Sequence, residues 1–264
     1  MSVFVICEAG VNHNGNLETA LKLVDVAKKA GADAVKFQAF NAARLKRPEI
    51  KHLELSEPQL RDIAAYAKAA EIEFMCTAFD PDWLVYVDKF VKRHKIASGC
   101  LENWPLLDSA KLTGKPIILS TGMSDVNRIG RAFTRIQEQH VSDWIGKHAI
   151  LHCVSAYPCP TEAANLKAMD TLIWQWGDKA TIGYSDHTLG ITVPIAAVGR
   201  GAQIIEKHLT LDRSAEGPDH KASIEPEEFR VMVSAIRTVE AALGDGIKGC
   251  QPCEEPTARI WYGS

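Results

Sequence analysis

The sequence predicts one α/β barrel of eight parallel strands and eight helices, a (β/α)8 TIM barrel occupying residues 1–264 as a single domain. Three observations predict it. A chain of 264 residues matches the length of about 250 usual for such a barrel. Short apolar, β-prone runs recur with helix-patterned segments between them, the signature of a parallel sheet buried on both faces. Nearly every such run ends in polar or ionisable residues, as expected where a barrel gathers the C-terminal ends of its strands at one mouth.

The eight runs are VFVIC, AVKFQ, EFMCT, HKIAS, PIILST, AILHCV, TIGYS and QIIEKHL. Between the first two, Leu17, Ala20, Leu21, Val24 and Ala27 recur at helical spacing, and Gly31 stops the pattern. The same reasoning places helices at Glu57–Ala70, Pro81–Lys92, Trp104–Leu112, Val126–Gln139, Leu189–Arg200 and Glu225–Leu243, with a less periodic segment at Thr161–Trp176. Periodicity alone does not show closure, so an open doubly wound sheet stands as the alternative.

Composition narrows the partners. Hydrophobic residues make up 46% and charged residues 24%, enough apolar material for a core. A formal charge of −3 supplies no basic field for nucleic acid or an anionic membrane surface, so a small molecule is expected. The opening MSVFVICEAG has no basic n-region, and no apolar run nears the roughly 20 residues of a membrane span. A cytoplasmic protein is expected. Its seven cysteines are scattered, mostly within apolar runs, and read as reduced thiols. The pair Cys250 and Cys253 has the spacing of a metal or redox motif, but no second pair lies nearby to complete a zinc site, and we read it as incidental.

In chain order, the strand ends carry Glu8, Asn12 and His13; Lys36 and Gln38; Thr77; Lys95 and Ser98; Ser120 and Thr121; Ser155 and Tyr157; Ser185, Asp186 and His187; then Glu206, Lys207 and His208. Any one of them could merely mark where a strand leaves the core. Together, two lysines and several hydroxyls suit a ligand bearing both a phosphate and a carboxylate. His187 and His208, from neighbouring strands, could converge on one divalent cation or could each be a satisfied core histidine. Glu8 and Asp219 could complete an oxygen-rich coordination sphere or act as acid and base.

Several stretches resemble the sialic acid synthase family, the phosphoenolpyruvate-dependent condensing enzymes that make nonulosonic acids. They include CEAGVNHNGNLETALKLVDVAKKAGADAVKFQAF, HKIASG with ENWPLL, ILSTGMSD, LHCVSAYPCP, IGYSDHTLG and EKHLTLDRSAEGPDHKASIEPEEF, and the similarity runs from about Val3 to Leu243. The resemblance implies a TIM barrel that condenses phosphoenolpyruvate with a sugar or other polyhydroxy aldehyde. It implies a divalent metal, Mn2+ first with Mg2+ or Co2+ as alternatives, held by His187 and His208. It matches Lys36, Thr77, Lys95, Ser98, Ser120 and Ser185 to positions that hold phosphoenolpyruvate, Glu8 and Asp219 to acidic residues beside the metal and the incoming aldehyde, and Tyr157 to a place near the ligands; the strand-end residues Gln38 and Ser155 are taken as further substrate contacts.

Departures from the family pattern bear on the chemistry. Where the family reads K-I-x-S-G-E, this chain reads KIASGCLEN, so Cys100 occupies the position of a Glu that could activate the attacking water. Glu102, two residues on, is the candidate replacement. The segment between the second strand and its helix is short, which implies a different sugar pocket, and its basic stretch Leu45 to His52 reads either as a solvated loop or as a contact for an anionic aldehyde. The chain stops at Ser264, so the antifreeze-like C-terminal domain of the family, which serves its dimer, is expected to be missing. A homo-oligomer therefore remains open. The aromatic RIWYGS could cover the mouth, make a subunit contact or pack loosely. A diverged pyruvate aldolase or lyase, and a non-catalytic ligand-binding partner subunit, are the competing readings of function.

Overall fold

A computed structural model describes residues 2–137 and 148–263. Eight strands close into a barrel in sequence order: β1 Phe4–Gly10, β2 Ala34–Ala39, β3 Glu73–Ala78, β4 His94–Ile96, β5 Ile117–Ser120, β6 Ala149–Cys153, β7 Thr181–Asp186 and β8 Ile204–His208. All pairs are parallel, and β8 returns to β1 in the register Glu8 to His208. Closure removes the open-sheet alternative. The helices are α1 Leu17–Lys29, α2 Glu57–Ala69, α3 Pro81–Val87, α4 Trp104–Leu112, α5 Val126–Gln137, α6 Ala168–Trp176, α7 Thr192–Gly199, α8 Pro226–Leu243 and α9 Glu255–Tyr262.

Local chemistry fixes the helix starts. Asn16 accepts the amide of Thr19 to open α1, and Ser56 with Gln59 forms a reciprocal capping box at α2. Two helix boundaries differ markedly from expectation for reasons visible in the structure. Helix α3 ends at Val87 instead of Lys92, because Asp88 is taken by Lys115 and His94 and the chain turns into β4. Helix α7 begins at Thr192, after Gly190 with a φ of +71° breaks the approach. The expected α5 is described to Gln137, and its last two residues lie outside the described residues.

The barrel interior changes character along its axis. Side chains alternate across each strand, so every second residue points inward. At the lower end those residues are Ile6, Ala34, Met75, Ile118, Ala149, Leu151 and Ile204, which form one buried cluster. Two residues further along the same strands come Glu8, Lys36, Thr77, Ser120, Cys153 and Glu206. A larger apolar layer between strands and helices holds this frame rigid. The mouth is therefore a polar floor resting on an apolar plug.

The C-terminal aromatics do not cover the mouth. Ile260, Trp261 and Tyr262 of α9 stay about four-fifths exposed. Cys250 and Cys253 are also exposed and free, and among the described residues no group of three metal-binding side chains is assembled. No helix among the described residues is long and apolar enough to cross a membrane.

Candidate active site at the barrel mouth

A cavity of about 530 Å³ opens at the C-terminal ends of the strands. Of the site residues expected from sequence, Glu8, Lys36, Gln38, Thr77, Lys95, Ser98, Ser120, Ser155, Tyr157, Ser185, His187, His208 and Asp219 all line it. Glu102 does not. It turns outward to Arg131 and Arg128 of α5, with its side chain one-third exposed. Its two oxygens are drawn to the arginines that the amphipathic helix presents to solvent, a pairing the strand-end argument could not anticipate.

The register explains the floor. Glu8 of β1 stands level with Lys36 of β2 and His208 of β8, Gln38 with Thr77, Thr77 with Lys95, and Ser185 with Glu206. Lys36 Nζ lies 2.6 Å from Glu8, 3.5 Å from Glu206 and 3.1 Å from the Thr77 hydroxyl. Lys95 Nζ lies 3.5 Å from Glu206, whose other close partner is the Ser185 hydroxyl at 2.9 Å. These four charges are almost fully buried. A buried charge is tolerable only when paired and hydrogen-bonded, so the floor is a mutually dependent set of two cations and two anions. Glu206 was visible only as a strand end in the sequence; stepping back two residues from His208 on an alternating strand would have placed it inward.

The electrostatics follow from that pairing. Burial pulls the Lys36 ammonium down, but Glu206 and Glu8 outweigh it and leave the group above its ordinary value. Lys95 is lowered by burial, with Glu206 opposing. Burial raises Glu8, while Lys36 works against the shift. Glu206 goes the other way: burial alone would raise it, yet Lys36 and Lys95 hold it well below the usual carboxylate range. Asp219 is pushed up to about 6 by burial, opposed by Lys36, the Val11 backbone and Arg47.

His187 and His208 face one another, ring centroids 5.4 Å apart, with the Tyr157 ring 4.1 Å from His187. His187 Nδ1 donates to the Val154 carbonyl at 2.6 Å, which leaves Nε2 as its free lone pair. Buried 3.7 Å from Asp219, His208 Nδ1 has no hydrogen-bond partner among the described residues. Burial lowers both imidazoles, so both are neutral near pH 7, the form that ligates a metal. These are the two residues that could offer ring nitrogens to a divalent ion, whose remaining positions would fall to water and substrate oxygens.

On the far wall, the Gly122 amide donates to the Ser98 hydroxyl at 3.0 Å and to the Cys153 sulfur at 3.1 Å. A Cβ at Gly122 would lie 2.2 Å from the Ser155 hydroxyl, so the backbone approach requires glycine. Cys100 reaches the cavity, and burial pushes its thiol up to about 11. It is therefore a neutral thiol at pH 7, unlike the carboxylate expected at that position. Cys153, beside Gly122, lines the cavity without having been expected there, and of the stretch Leu45 to His52, read as a solvated loop or an anion contact, Leu45, Arg47 and Ile50 reach it.

Comparison with known proteins bears on what such a mouth serves. Residues 46–248 match the model of the NeuB family. The chain belongs to the NeuB family. It is 43% identical to the N,N'-diacetyllegionaminic acid synthase of Legionella pneumophila, over 94% of this chain and 75% of that one. It is 34% identical to the human N-acetylneuraminate-9-phosphate synthase, over 95% of this chain and 74% of that one. The crystal structure of the sialic acid synthetase of Leptospira borgpetersenii serovar Hardjo-bovis, solved with citrate, superposes with a TM-score of 0.91 at 35% identity, covering 98% of this chain and 91% of that one. The named NeuB-family relatives are sugar-acid synthases, and this chain is an enzyme of that family.

Proposed function

We propose that this protein condenses phosphoenolpyruvate with a sugar or other polyhydroxy aldehyde to give a 2-keto-3-deoxy acid and phosphate. The observation that carries the reading is the floor itself. Two buried ammonium groups, Lys36 and Lys95, stand in one cavity with the hydroxyls of Thr77, Ser98, Ser120 and Ser185, beside two neutral imidazoles. Phosphoenolpyruvate carries its phosphate ester and its carboxylate on the same carbon, and fixed donors in a water-poor site hold such charges without reorganising.

In the reaction, C3 of phosphoenolpyruvate forms a bond to the aldehyde carbon and the aldehyde oxygen takes a proton. Water bonds to C2, the C2–O bond to phosphorus breaks, and inorganic phosphate leaves as the ketone forms. A divalent cation held by His187 and His208, Mn2+ first, would polarise the aldehyde oxygen as a Lewis acid. Asp219 and Glu8, both raised by burial, are the carboxyl groups placed to deliver and accept protons at the aldehyde oxygen and the water. Tyr157, half exposed over the imidazoles, closes one side. Cys100 does not deprotonate water, since its thiol stays protonated. Glu102, paired with Arg131, is withdrawn from that role. A cytoplasmic setting suits the seven free thiols.

Incubation with Mn2+, phosphoenolpyruvate and a panel of aldoses is expected to release phosphate only when an aldehyde is present. Silence across the panel from folded protein would overturn the reading.

A further inference from the structure

The segment between β2 and α2 forms the rim of the cavity on one side. It is docked in place: Leu53 and Leu55 are buried, Glu54 accepts the Ala42 amide at 2.5 Å, and a Cβ on Gly15 would lie 2.1 Å from the His52 carbonyl. Val11, Phe40, Leu45, Ile50, Leu53 and Phe79 make an apolar wall there. Of the basic side chains between Leu45 and His52, only Arg47 lines the cavity; Arg44, just before them, is taken by Asp80 and Asp82.

Arg47 differs from the two floor lysines. Lys36 and Lys95 are committed to Glu8 and Glu206 and, in the function proposed above, to the two charges of phosphoenolpyruvate. Among the described residues, Arg47 is the remaining lysine or arginine lining the cavity. Its side-chain partner among the described residues is Glu49, two residues away at 2.8 Å, with both side chains more than half exposed. Such a pair is weak and readily exchanged. Its guanidinium offers a planar fork to a carboxylate or phosphate, and its charge is already felt at Asp219 across the cavity.

We infer that Arg47 is a specificity-determining residue which receives an anionic group at the end of the acceptor remote from its aldehyde, with the apolar wall packing the carbon chain between. The inference rests on the proposed condensation for its meaning, and on binding alone for its test. Isothermal titration with hexitol 6-phosphate, a hexuronate and neutral hexitol, each with and without phosphoenolpyruvate, reads the site without turnover. Wild type should bind at least one anionic probe about tenfold or more tightly than hexitol, and Arg47→Ala should erase that preference while leaving hexitol and phosphoenolpyruvate binding unchanged. Arg47→Lys should retain part of it. Whichever anion loses affinity in Arg47→Ala identifies phosphate or carboxylate as the group received. Equal binding of all three probes by wild type, or a preference that survives Arg47→Ala, would overturn the inference even if phosphate release proves the condensation. Loss of the preference in a protein that turns over no aldehyde would instead count against the condensation alone.

Discussion

The floor and the rim of the barrel mouth carry the same kinds of charged residue and hold them under opposite conditions. On the floor, Lys36, Glu8, Glu206 and Lys95 are buried and satisfy one another, so none can leave without stranding another. On the rim Arg47 pairs with Glu49 in solvent, as Glu102 pairs with Arg131 outside the cavity, and either partner is replaced by water at little cost. Chemistry common to a family belongs on the first kind of surface. Discrimination between acceptors belongs on the second, where a change of residue leaves the barrel standing.

The largest contrast should come from Lys36→Met. It leaves Glu8 and Glu206 facing each other without their shared cation, which should cost about 3–5 kcal/mol in denaturant unfolding and at least about 10² in turnover. A variant as stable and as active as wild type would break the distinction between floor and rim.

A second contrast lies in acid sensitivity. His13, fully buried with its ring near Phe37, is lowered by burial to about 4. A depressed imidazole binds its proton more readily when unfolded, so its contribution is present in full above the ordinary value near 6.5 and is lost as pH falls toward 4. The stability of wild type relative to His13→Gln should therefore shrink across that window, by up to about 3 kcal/mol. A difference independent of pH would show that the ring is not held neutral.

The smallest effect should be Glu102→Gln. Removing one carboxylate from an exposed pair should change stability by less than about 0.5 kcal/mol and leave turnover within about twofold. A large loss of turnover would return Glu102 to the water-activating role that its outward pairing denies it.

The same division explains what the sequence could disclose. Strand ends announce themselves, because an apolar run that stops at Lys36, Thr77 or His208 leaves a polar group at a place the barrel topology then collects. Closure and register could not be read in advance; they are set by all eight strands together, and they alone put Glu8 between Lys36 and His208. Loops carry no such period. That Arg47 turns into the cavity while Glu102 turns away depends on the docking of residues 48–53 and on the arginines of α5, neither of which leaves a pattern in the chain. The exposed helix α9 was likewise hidden in a short aromatic tail.

Condensation at this mouth should break the C–O bond of phosphoenolpyruvate. Phosphoenolpyruvate labelled with 18O at the bridging oxygen, incubated with Mn2+ and an accepted aldose, tests it most directly. The label should leave with inorganic phosphate, and the new ketone oxygen should come from solvent. Label retained in the organic product would contradict it.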